Sequence, residues 1–148
     1  MNYLLGEFEC KVDAKGRFKV PSGLLKQLSG DAKEGGFVLS KSLDGCLELR
    51  TREQWDDMSD ELNKLSKYKA ENRKFLRFVF GGVKFMSLDG ADRLLVPKEL
   101  SEFAKVKQEL VLSCIMDKVE VWPKEKYEDQ MIDEDEAATI ADQLNIEI

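Results

Sequence analysis

The chain has 148 residues, 43% hydrophobic and 35% charged, with a formal net charge of −6 and no histidine. That length can bury one good core or two small ones sharing an interface, and no apolar run approaches the roughly 20 residues of a membrane span. Without histidine the chain lacks the commonest transition-metal ligand and the usual neutral-pH proton shuttle.

Residues 1–5 form a short apolar lead with no basic leader, so no signal peptide is expected. Glu7 to Val12 then alternates charged and apolar, the period-two pattern of a half-buried strand. Asp13-Ala14-Lys15-Gly16 supplies turn chemistry, with Gly16 free to take a positive φ. Arg17-Phe18-Lys19-Val20 resumes the alternation, so residues 6–21 read as a β-hairpin. Its apolar face is Phe8, Cys10, Val12, Phe18 and Val20. Pro21 stops the strand and suits the opening of a short helix over 22–28. Ser29-Gly30-Asp31 and Glu34-Gly35-Gly36 read as loop. Phe37-Val38-Leu39-Ser40 and Cys46-Leu47-Glu48-Leu49 are strands around an Asp44-Gly45 turn. From Thr51 the period changes: Trp55, Met58, Leu62 and Leu65 predict an amphipathic helix over 52–66. A second helix, about 71–79, stops at Gly81-Gly82. Lys64, Lys67, Lys69, Arg73, Lys74 and Arg77 make this connector basic, as a solvated face or an auxiliary phosphate-contacting or subunit-contacting surface.

After the connector the pattern repeats. Asp89-Gly90-Ala91-Asp92-Arg93-Leu94-Leu95-Val96-Pro97 keeps the Asp, Arg, Val and Pro of Asp13 to Pro21 at a constant offset of 76 residues. Such self-similarity is the mark of an internal duplication. A helix over 98–105, strands at Leu110-Val111-Leu112 and Val119-Glu120-Val121, and a helix over 123–130 follow. Tyr127 stands where Trp55 stands in the first copy. Trp55, Trp122 and Tyr127 read as packing residues. The tail, 131–148, is acidic, with Ile140 and Leu144 one helical turn apart; it is a terminal helix or partly disordered. Residues 123–148 hold nine acids and two bases, a balance of −7, which leaves +1 for residues 1–122. Cys10, Cys46 and Cys114 are odd in number and widely spaced, as small core residues of a reducing compartment would be.

An Asp-x-x-x-Arg turn, a β-branched residue, a proline and a short helix, all present twice, resemble the MraZ family of bacterial transcriptional regulators. Those are tandem members of the AbrB-like (SpoVT-AbrB) swapped-hairpin superfamily. The resemblance covers roughly residues 1–127. It implies an α+β fold: two tandem β-hairpin/helix repeats forming a pseudo-twofold swapped-hairpin β-barrel with flanking helices. The expected parts are repeat 1 at 6–52, a helical connector at 53–81, repeat 2 at 82–125 and the acidic tail at 126–148. The resemblance also implies a cytoplasmic, nucleoid-associated repressor of a division and cell-wall gene cluster, including its own gene. It would bind repeated boxes in double-stranded promoter DNA as a homo-oligomeric ring.

Asp13 and Asp89 should cap their own turns or pair with Arg17 and Arg93, with Gly16 completing the first turn. In the superfamily the matching arginine lies on the DNA-facing surface. Lys15, Arg17 and Lys19 are therefore the expected DNA contacts, with Arg93 a weaker one. The second copy departs from the pattern: Asp92 replaces the glycine and Leu95 the outward lysine. An asymmetric molecule is expected, in which repeat 1 reads DNA and repeat 2 mainly folds and assembles. The alternative is an oligomeric protein-interaction scaffold without DNA binding. No phosphate loop, zinc spacing or nucleophile with a base is visible, so no enzyme, cofactor, metal or small-molecule substrate is expected.

Overall fold

Alternation in the sequence says which face of a strand is buried but not which strand lies beside it, and here the partners come from the other repeat. The computed structural model describes residues 3–28 and 34–148; the loop expected at Ser29-Gly30-Asp31 lies outside them. The first repeat contributes β1 (Glu7–Lys11), β2 (Arg17–Lys19), α1 (Ser22–Leu25), β3 (Phe37–Lys41) and β4 (Leu47–Thr51). Helices α2 (Arg52–Leu62) and α3 (Ala70–Phe80) form the connector. The second repeat contributes β5 (Lys84–Met86), β6 (Arg93–Leu95), α4 (Lys98–Ala104), β7 (Glu109–Ile115), β8 (Lys118–Pro123) and α5 (Lys124–Asp129), and α6 (Glu134–Gln143) follows.

The strands form a six-stranded antiparallel sheet, β1-β7-β8-β4-β3-β5, and a separate two-stranded ladder, β2-β6. Exchanging each strand for its counterpart in the other repeat reverses the sheet order and leaves it otherwise unchanged, as a pseudo-twofold axis requires. The register places the axis at two pairs, Glu48↔Glu120 in the sheet and Phe18↔Leu94 in the ladder. Each hairpin is swapped: β1 lies on β7 of repeat 2, with Phe8 opposite Leu112, and β5 lies on β3 of repeat 1, with Lys84 opposite Leu39. The barrel is open, since the sheet and the ladder are not hydrogen-bonded into one closed ring of strands.

The local hairpin expected over residues 6–21 is thus a turn with one bridge, Val12↔Phe18, whose arms leave for different partners. The physical reason is burial. A lone hairpin would leave one face of Phe18 to water, whereas pairing across repeats sets Phe18 against Leu94 and leaves both 0% exposed. Burying side chains of this kind contributes about 1.5–3 kcal/mol each. Leu24 and Leu100 from α1 and α4, with Leu39, Leu47, Leu110 and Leu112 from the sheet, close the same core.

The helices follow local rules. Pro21, Pro97 and Pro123 stand at the N-caps of α1, α4 and α5, with φ near −58°. Thr51 and Gln54 form a capping box that starts α2. On the outer face of the sheet, α2 and α3 cover Val38 with Trp55 and Val79. Tyr127 of α5 packs on Trp122 and Val111 at the matching place in repeat 2. α1 is shorter than expected, ending at Leu25.

Candidate nucleic-acid interface

Two aspartates build two turns, and the swap brings the turns together. Asp13 Oδ1 accepts the backbone N–H groups of Lys15 and Arg17, each at 2.9 Å. Asp89 Oδ1 accepts those of Ala91 and Arg93, also at 2.9 Å. The other carboxylate oxygen of each receives its own arginine: Arg17 Nε at 2.9 Å and Arg93 Nε at 2.8 Å. Gly16 takes φ 82° in the first turn and Asp92 takes φ 59° in the second. Asp is among the few side chains that enter this left-handed region with modest strain.

Each tip is also held by the opposite repeat. Val96 N–H donates to the Gly16 carbonyl and Val20 N–H to the Asp92 carbonyl, both at 2.9 Å. The charges interlock in the same way. Arg17 Nη1 lies 4.0 Å from Asp89 Oδ2, and Arg93 Nη1 lies 3.8 Å from Asp13 Oδ2. Two arginines and two aspartates thus alternate around the pseudo-twofold axis, their side chains between 29% and 35% exposed.

The backbone N–H of Arg17, opposed in part by desolvation and joined by the Arg17 side chain and the Lys15 N–H, holds the Asp13 carboxyl below its ordinary range. Asp89 is lowered in the same way, first by the backbone N–H of Arg93. Both are carboxylates at neutral pH, when the turns must hold. Pinning Nε also orients each guanidinium. Among the described residues no hydrogen bond uses the Nη groups of Arg17 or Arg93. Nη1 of each fork faces the opposite repeat's aspartate, and Nη2 remains for a planar anion or a base edge.

In the ladder Arg17 lies opposite Leu95 and Lys19 opposite Arg93, so these four share the outer face while Phe18 and Leu94 plug the inner one. Lys15 and Lys19 are exposed, and Leu95 is 50% exposed. Arg93 stands beside Arg17, and the two hairpin tips form one surface. The surface is also less cationic than repeat 1 alone suggests, because Asp89 reaches Arg17. The cross-pairs Arg17–Asp89 and Arg93–Asp13 were not read from the sequence. Their signal was the constant offset: a duplicated motif folded about a twofold places equivalent residues as neighbours.

Elsewhere the titratable groups serve the fold. Glu48 receives Arg50 Nη2 at 3.0 Å and also Lys118, beside the sheet's axis. Burial pushes the Cys10 thiol up to about 11 and the Cys46 thiol to about 12, so both stay protonated.

A family model described as "MraZ protein, putative antitoxin-like" matches the chain twice, over residues 3–78 and 79–144. A protein of Christiangramia forsetii named "Transcriptional regulator MraZ" is 42% identical over 143 residues, covering 95% of this chain and 92% of its own. Proteins of the same name from Flavobacterium psychrophilum and Thermoanaerobacter pseudethanolicus are 43% and 35% identical. They cover 86% and 97% of this chain and 82% and 99% of their own. With both of its halves matched and relatives this similar along nearly its whole length, the chain belongs to the MraZ family.

Proposed function

We propose that this protein is a sequence-specific DNA-binding transcriptional regulator whose β2-β6 ladder meets the DNA. The observation that carries the reading is the pair of guanidiniums, pinned at Nε and with no hydrogen bond at Nη2 among the described residues, at the centre of an outer face that also bears Lys15 and Lys19. The lysines would neutralise phosphates, and Arg17 and Arg93 could fork onto phosphate or a guanine edge. The relatives' printed name supports the regulatory role. The finer reading is a repressor of a division and cell-wall gene cluster, its own gene included. It would bind repeated promoter boxes as a ring, so that weak contacts combine by avidity. A mobility shift on the gene's own upstream DNA tests the site. Arg17→Ala should abolish the shift with the solution mass unchanged, and normal binding by that variant would refute the assignment.

One observation favours a protein-interaction scaffold instead. The central four residues, two arginines and two aspartates, sum to zero charge. Wild-type protein that shifts no upstream fragment at low salt would decide for the scaffold.

A further inference from the structure

Helix α6 buries none of its residues, yet its sequence is not that of a helix content in water. Ala137, Ile140, Ala141 and Leu144 recur at steps of three and four, which sets them along one face. Ile140 is 40% exposed and Leu144 61%. An isolated helix of this length is marginal in water, so a seam of this kind gains stability only against another surface. Residues 131–148 also carry six acids and no base, and none of the six joins an ion pair among the described residues.

The complementary surface is in the same chain. Residues 64–77 hold six bases and a single acid. Lys69, Lys74 and Arg77 enter no ion pair among the described residues. Arg73 donates from Nη1 to the Lys67 and Tyr68 carbonyls, each at 2.9 Å, and so fixes the backbone that presents Tyr68. Tyr68 is 97% exposed and Phe75 38%. The hairpin ladder is the other basic surface, but it offers only Leu95 to an apolar seam, and its arginines already face aspartates.

We propose that α6 of one subunit docks on the connector of a second copy, its apolar face against Tyr68 and Phe75 and its acids against Lys69 and Lys74. The contact is heterologous, since donor and acceptor surfaces differ, and it links copies head to tail. It rests on the self-association part of the proposed function and is independent of DNA binding.

Two full-length variants test it. Ile140→Glu/Leu144→Glu spoils the donor and Lys69→Glu/Lys74→Glu the acceptor; all four side chains are exposed, so circular dichroism should show the wild-type fold. The mass in solution is read by light scattering at high protein concentration. Wild type should be a multiple of the 16.9 kDa chain, and each variant alone should fall to one chain. An equal mixture should form dimers and nothing larger, because each variant retains the half the other lacks. Variants that keep the wild-type mass, or a mixture that stays monomeric, would overturn the docking while leaving self-association through another surface intact. A monomeric wild type would overturn both. A donor variant that keeps its mass and binds DNA more tightly would place the tail on the hairpin ladder instead.

Discussion

Asp92 is one of three positions at which the two hairpin tips differ by a charge, and replacing it with glycine gives a quantitative handle on the ladder. The outer surface carries Lys15, Arg17, Lys19 and Arg93 against Asp13, Asp89 and Asp92, a local balance of +1; Asp92→Gly makes it +2. A phosphate about 8 Å from the lost carboxylate gains about 0.5 kcal/mol in water, or roughly twofold in affinity per contact. Salt of about 0.01 M leaves most of this, whereas about 0.15 M screens it to near a third. The fold should tolerate the change. The backbone carbonyl that accepts Val20 N–H is kept, and glycine adopts the φ of 59° without strain. Relieved strain and added unfolded-chain entropy largely offset, leaving stability within about 0.5 kcal/mol. The reverse change, Gly16→Asp, is the control. A β-carbon there meets Leu95 Cδ1 at 3.6 Å, an ordinary contact, but φ 82° strains a side chain, so circular dichroism must first show the wild-type fold; the added charge should then weaken binding by a similar factor. Fluorescence anisotropy on upstream DNA at both salt levels reads the pair. Equal affinities at low salt for Asp92→Gly, Gly16→Asp and wild type would refute the placement of DNA over the tips.

Other outcomes follow from the same geometry. Phe18→Ala and Leu94→Ala should cost about 3–5 and 2–5 kcal/mol in denaturant unfolding. Because the two side chains share the axis, the double variant should depart from additivity by at least about 0.5 kcal/mol; strict additivity would contradict the swapped ladder. Asp13 and Asp89 are depressed in the folded state, so their contribution is whole above the unfolded value of about 4 and is lost as pH falls through the folded value. Acid unfolding should therefore be less steep in Asp13→Asn/Asp89→Asn than in wild type, and equal slopes would refute the assignment. Cys46, buried and raised to about 12, should resist a thiol reagent at pH 8 until the chain unfolds; fast labelling in the native state would contradict its place in the core.

What the sequence could convey is set by the range of its signals. The Asp-to-Arg turn is local chemistry, complete within five residues, so Asp13, Gly16, Arg17, Asp89 and Arg93 could be picked out directly. Period-two alternation correctly separated Phe8 and Phe18 from Glu9 and Lys19. It carries no information on partners, which is why β1 could not be matched to β7 nor Phe18 to Leu94 by pattern alone. The cross-pair of Arg17 with Asp89 depends on that swap and was hidden with it. The same limit applies to α6: Ile140 and Leu144 mark an apolar face, and only the folded chain shows that its own subunit leaves it uncovered.

The central claim is that the paired arginines meet phosphate or base on DNA, and the salt dependence of binding tests it most directly. Affinity for upstream DNA is measured across a salt series for wild type and for Arg17→Ala/Arg93→Ala at matched assembly state. Each lost phosphate contact should reduce the slope of log affinity against log salt by about 0.9. The account predicts a weaker and shallower dependence for the double variant, by one to two such steps per bound subunit. A variant whose affinity and slope both match wild type would contradict it.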